Sequence, residues 1–99
     1  MYVLRIEHAV PDYDRWRMAF DSDPVGRARG GVRRHRVQRA VGDAQQVTID
    51  LEFDTLEAAE AFHMALLALW EGPGAGFVRN PEAHIVEVVE TREYDDAGG

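Results

Sequence analysis

The chain has 99 residues and a mass of 11.2 kDa, a length that holds one hydrophobic core and leaves no room for a second. Its net charge of −7 repels nucleic acid and anionic membranes, and the absence of cysteine excludes disulfides, thiolate nucleophiles and thiolate metal ligands. No run approaches the ~18 apolar residues of a membrane span and Met1 leads straight into a strand-like segment, so the expectation is a cytoplasmic protein with neither nucleic acid nor membrane as partner.

Residues 2–9 alternate Leu4, Ile6 and His8 against Val3, Arg5 and Glu7, the period of a strand with two different faces. Pro11-Asp12-Tyr13-Asp14 opens a helix whose Tyr13, Trp16 and Phe20 recur at helical spacing until Asp23-Pro24. Gly26 to Gly31 is a connector. Val32 to Ala40 reads as a strand, and Val41 to Gln45 as a hairpin turn around Gly42-Asp43. Gln46 to Phe53 alternates cleanly, with Val47, Ile49, Leu51 and Phe53 on one face. Asp54-Thr55-Leu56-Glu57 has the form of a capping box and starts a helix to Trp70, with Ala59, Phe62, Leu66 and Leu69 as its core stripe. An alanine stripe beside it, Ala58, Ala61, Ala65 and Ala68, predicts a close approach to the sheet on that side. Gly72 to Gly76 ends the helix, Glu82 to Glu90 forms the last strand, and residues 91–99 form a polar, acidic, flexible tail beyond a single domain of residues 1–90.

The order β-α-β-β-α-β is the split βαβ arrangement of ferredoxin-like α+β domains, with an antiparallel sheet of order 4-1-3-2 and both helices on one face. With its D-Y-D-x-W-x-x-x-F first helix and a second helix rich in Ala and Phe, the chain resembles the dimeric α+β barrel superfamily. That superfamily holds cofactor-independent monooxygenases, haem-degrading enzymes, polyketide cyclases and stress-response proteins. The resemblance implies a homodimer in which two sheets face each other and a cleft between sheet and helices receives a small organic ligand. In the monooxygenase members an Asn and a Trp in that cleft serve oxygen chemistry. Here the lone Asn80 falls in a loop, and the first strand offers His8 instead.

If Val86 and Val88 join Leu4 and Ile6 under the helices, Leu4 pairs with Val88, Ile6 with Val86 and His8 with His84. The other face then sets Arg5 between Asp50 and Glu87, either as a cross-strand ion-pair network or as a polar pocket. His8 and His84, near Asp12 and Asp14, read as a general acid–base pair or as a plain rim pair closing the core; no metal site is expected. Trp16 and Trp70 lie on the inward arcs of their helices, as core or as walls of the cleft, with Phe62 beside them. Arg27, Arg29, Arg33, Arg34, Arg36 and Arg39 form a run without an acid, which suits an edge strand. An even hairpin loop sends Arg34 and Arg36 under the helices toward an anionic ligand, and an odd one sends His35 and Val37.

The functional expectation is a homodimer that binds an aromatic or acidic metabolite without a cofactor, with Trp16, Trp70, Phe62, Arg34, Arg36 and Asp14 as ligand contacts. If it is catalytic, the resemblance implies cofactor-free cyclisation or isomerisation by His8 and His84. The alternatives are a non-catalytic dimeric module whose own side chains fill the cleft, and a cofactor-free monooxygenase.

Overall fold

A computed structural model describes residues 1–95. The chain runs β1 (Tyr2–Ala9), α1 (Tyr13–Asp21), β2 (Val32–Ala40), β3 (Asp43–Phe53), α2 (Leu56–Glu71) and β4 (Arg79–Glu87). The four strands form one sheet in the order β2-β3-β1-β4, the expected ferredoxin-like order with the arginine-rich β2 at an edge. Residues 91–95 carry no helix or strand; the remainder of the expected tail, 96–99, lies outside the described residues. No helix among the described residues is long and apolar enough to cross a membrane.

Both helices start on side-chain caps. Asp12 accepts from the backbone N–H of Arg15 at 3.1 Å and starts α1. Thr55 accepts from that of Ala58 at 3.2 Å and starts α2, satisfying an otherwise orphaned donor. The cap is therefore Thr55 and not Asp54, whose carboxylate pairs with Arg33 at 3.4 Å instead. Glu57 lies in the first turn of α2, where its charge complements the helix dipole.

The core lies between sheet and helices. Leu4 and Ile6 of β1 and Val47, Ile49, Leu51 and Phe53 of β3 are buried beneath Trp16 of α1 and Ala59, Phe62 and Leu66 of α2. The alternation of β1 and β3 thus faces the way the sequence predicts, and their register sets Arg5 against Asp50 and Glu7 against Thr48. The alanine stripe does not: Ala61, Ala65 and Ala68 are exposed, and α2 meets the sheet through its larger side chains.

Strand β4 departs from the expected register. Leu4 stands opposite Ile85, Ile6 opposite Ala83, and Arg5 opposite His84, while Glu87 pairs with Tyr2. The strand starts three residues earlier than expected, and an odd offset turns every side chain to the other face. Ala83 and Ile85 form an apolar alternation as good as that of Val86 and Val88, so periodicity alone cannot choose between them. The pairing slips by one residue between Glu7 and Ala9, beside Asn80 at φ 51° and Pro81, which has no N–H to give the ladder.

Strand β2 resolves the hairpin alternative. Val41 and Gly42 make a two-residue turn with Gly42 at φ 89°, a value that favours glycine. The register then slips by three between the Ala40–Asp43 and Arg39–Val47 pairs. The effect is that of an odd loop: His35 and Val37 stand opposite Leu51 and Ile49 on the helix side, while Arg34 and Arg36 stand opposite Glu52 and Asp50 on the open face.

Candidate functional site

Helix α2 lies close on β1, β3 and β4, whereas α1 stands farther from the sheet and reaches it through Trp16, its one buried residue. The gap is a cleft of about 320 Å³. Ile6, Ile49 and Leu51 form its floor, Trp16 and Phe20 one wall, and Phe62, Leu69 and Trp70 the other, with the connector from Ser22 to Arg27 and the loop around Phe77 at its rim. The walls are mostly apolar and aromatic, the composition of small-molecule sites.

His8 is the polar group of the floor. Its position on β1 puts it on the core face with Leu4 and Ile6, and it is 3% exposed. Its ring meets Trp16 and Trp70 edge to face, with centroids 5.5 and 6.3 Å apart. Burial lowers its pKa from 6.5 to about 4, so the ring is neutral around pH 7. Its Nδ1 is buried and has no hydrogen-bond partner among the described residues.

At the rim, Arg27 lies with its guanidinium 3.9 Å over the Phe20 ring. Its Nη1 donates to the Phe20 carbonyl at 2.9 Å and stands 3.5 Å from Asp23 Oδ1. Phe20 also stacks on Trp16 with centroids 5.2 Å apart and meets His35 edge to face at 5.4 Å. His35 has a lowered pKa, first from desolvation and then from the charges of Arg27 and Arg17.

Of the residues expected at the site, the structure gathers His8, Trp16, Trp70 and Phe62 around the cleft. His84 is not with them: it projects from the open face beside Arg5, so no pair of imidazoles converges. Arg34 and Arg36 occupy the same open face, where Arg34 pairs with Glu52 at 2.7 Å, and neither lines the cleft. Asp14 is exposed in the first turn of α1, where it complements the helix N-terminus. The arginine that does line the cleft is Arg27. Its signal in the sequence was the Asp23-x-x-x-Arg27 spacing after the helix stop, hidden inside a longer arginine run.

On the open face, Arg5 pairs with Asp50 at 3.1 Å, while Glu87 takes no part in the expected trio. Arg5, Glu7, Thr48, Glu82 and His84 border a shallow groove of about 300 Å³. Among the described residues no three His, Asp or Glu side chains gather as metal ligands.

No protein-family model and no curated protein sequence matches the chain. Solved structures do. A variant of SnoaB, a cofactor-independent oxygenase from Streptomyces nogalater, is 16% identical, with 91% of this chain and 94% of that chain covered and a TM-score of 0.70. MhuD, solved with two manganese protoporphyrin IX molecules per active site, is 15% identical over 95% of this chain and 100% of its own, with a TM-score of 0.68. A dimeric ferredoxin-like protein from an uncultured marine organism is 12% identical over 95% and 100%, with a TM-score of 0.65. At such identities the likeness concerns architecture alone, and the architecture is unambiguous: the chain shares the ferredoxin-like fold of these proteins.

Proposed function

We propose that the protein is a homodimeric binding protein for a small aromatic metabolite, held in the cleft between sheet and helices, with His8 as the group that engages a hydroxyl of the ligand. The observation that carries this reading is the His8 imidazole, set between Trp16 and Trp70 in the otherwise apolar floor of the cleft. A ligand hydroxyl gives that imidazole a hydrogen-bond partner inside the cleft. The cleft volume of about 320 Å³ falls within the range of small-molecule sites, and flat rings match walls built from Trp16, Phe20 and Trp70.

The chemistry follows from having one imidazole. With His84 on the far face, His8 takes a proton from the ligand and returns it, which suits a cofactor-free isomerisation or cyclisation with no net proton loss. Its lowered pKa makes it a weak base, so the substrate proton has to be acidic, as on a phenol or on carbon beside a carbonyl. Cofactor-free oxygenation is the second reading, favoured by the architectural likeness to SnoaB; oxygen uptake during turnover distinguishes it.

The homodimer reading draws on the dimeric ferredoxin-like protein of the same architecture and on the open sheet face. It predicts a sedimentation mass about twice the 11.2 kDa of the chain at micromolar concentration; a monomer mass overturns it. For the cleft, 2-naphthol is expected to bind saturably and quench the fluorescence of Trp16 and Trp70. Binding that survives unchanged in both Trp16→Leu and His8→Leu variants overturns the assignment.

A further inference from the structure

We infer that Arg27 determines which aromatic ligands the cleft accepts, by binding a carboxylate at the rim while His8 holds a hydroxyl at the floor. The inference rests on the cleft reading above and deepens it, naming the substrate class as hydroxylated aromatic acids.

Three features of Arg27 support it. First, of the eleven arginines it is the one that lines the cleft, and its side chain is 18% exposed, so its charge is less screened than those on the surface. Second, it is held in place. The guanidinium rests on the Phe20 ring, and both of its polar contacts, to the Phe20 carbonyl and to Asp23, leave from Nη1. That leaves the Nε–Nη2 edge, the geometry that receives a carboxylate through two parallel hydrogen bonds. Asp23 is a weak competitor, because its Oδ1 lies 3.5 Å from Nη1 and already accepts the Arg27 backbone N–H at 2.8 Å.

Third, the aromatic wall spans the distance between the two polar groups. Trp16 and Phe20 are stacked one helical turn apart, with His8 against Trp16 and Arg27 over Phe20. A flat ligand lying along this pair meets an imidazole near one end and a guanidinium near the other. Of the neighbouring charges, Arg17 and Asp21 pair with each other at 3.3 Å, while the Arg15 guanidinium lies over Phe77 at the rim and adds a positive charge there. The share of the discrimination that belongs to the directed hydrogen bonds of Arg27, apart from charge attraction, is what Arg27→Lys loses.

The probes are 6-hydroxy-2-naphthoate and its neutral counterpart 6-hydroxy-2-naphthamide, titrated calorimetrically into the wild-type dimer and the Arg27→Gln and Arg27→Lys variants. The wild type is expected to bind the acid about ten- to a hundredfold more tightly than the amide. Arg27→Gln removes most of that preference for the acid over the amide, and Arg27→Lys retains only part of it. Equal affinity of the wild type for acid and amide overturns the inference without needing any variant, and leaves the cleft reading standing. Loss of both ligands together in Arg27→Gln assigns Arg27 a purely structural part, as a cap on the α1 carbonyls, and also overturns it. Failure of the wild type to bind either probe removes the cleft reading itself and this inference with it.

Discussion

His84 stands directly across from Arg5 on the open face of the sheet, so the sheet separates it from His8, which faces the helices. The two histidines are chemically independent, and their substitutions should separate cleanly. His84→Ala is expected to leave 2-naphthol affinity unchanged, whereas His8→Phe, which keeps an aromatic ring but loses the nitrogen, should weaken it by about tenfold, the value of one hydrogen bond. Fluorescence titration of the two variants checks this, and a loss confined to His84→Ala contradicts it.

The buried imidazole also links stability to pH. Unfolded, it titrates near 6.5; folded, near 4. Between those values the unfolded chain binds the extra proton, so the native state is fully favoured above about pH 6.5 and loses stability as pH falls toward 4. The loss approaches about 3 kcal/mol once pH is below the folded value. Urea denaturation at intervals from pH 4 to 7 should show this slope in the wild type, and His8→Leu should flatten it. An unchanged slope in the variant assigns the acid sensitivity to other groups.

Trp16 is expected to matter more to stability than any other residue of α1. It is 5% exposed, it is the helix's one buried side chain, and it contacts His8, Tyr13 and Phe20. Trp16→Ala should cost about 3–5 kcal/mol, seen as a lower urea midpoint. Met18, 75% exposed on the same helix, should tolerate alanine within about 0.5 kcal/mol.

Glu7 and Glu82 face each other directly across β1 and β4. Like charges in that position oppose strand pairing by roughly 0.2–1 kcal/mol, so Glu82→Gln should raise stability slightly at low salt. The gain should shrink toward zero as ionic strength rises. Thermal unfolding at low and at high sodium chloride tests both parts, and a destabilised variant would show that Glu82 has a favourable partner in the folded protein.

Much of the fold is legible in the residues. Leu4, Ile6 and the run from Val47 to Phe53 alternate so cleanly that the β1–β3 pairing, and with it Arg5 against Asp50, follows from period alone. Trp16, Phe62 and Trp70 sit at helical spacings that point inward, and all three reach the cleft. What escapes the sequence is parity at the two sheet edges. In β4, Ala83–Ile85 and Val86–Val88 are equally apolar alternations of opposite phase, and a slip beside Pro81 selects between them. In β2, arginine occupies both faces, so composition carries no phase information and only the turn decides. The misplacement of His84, Arg34 and Arg36 follows from those two slips, and that of Asp14 from reading nearness in sequence as nearness in space.

The three residues of β3 left over in the hairpin, Ala44 to Gln46, have a further consequence. They are taken up by the end of β1, where Ala9 faces Gln46 and Val10 donates to the Gln45 carbonyl at 2.8 Å. One short stretch thus sets the phase of an edge strand and tethers the chain leading into α1. A one-residue deletion there would act far from where it falls: it would exchange a histidine and a valine for two arginines above the hydrophobic floor while shifting the helix that carries Trp16. In this architecture insertions and deletions in a surface turn change which side chains an edge strand turns toward the helices, so the layer beside the cleft can be altered without substituting any residue that lines it.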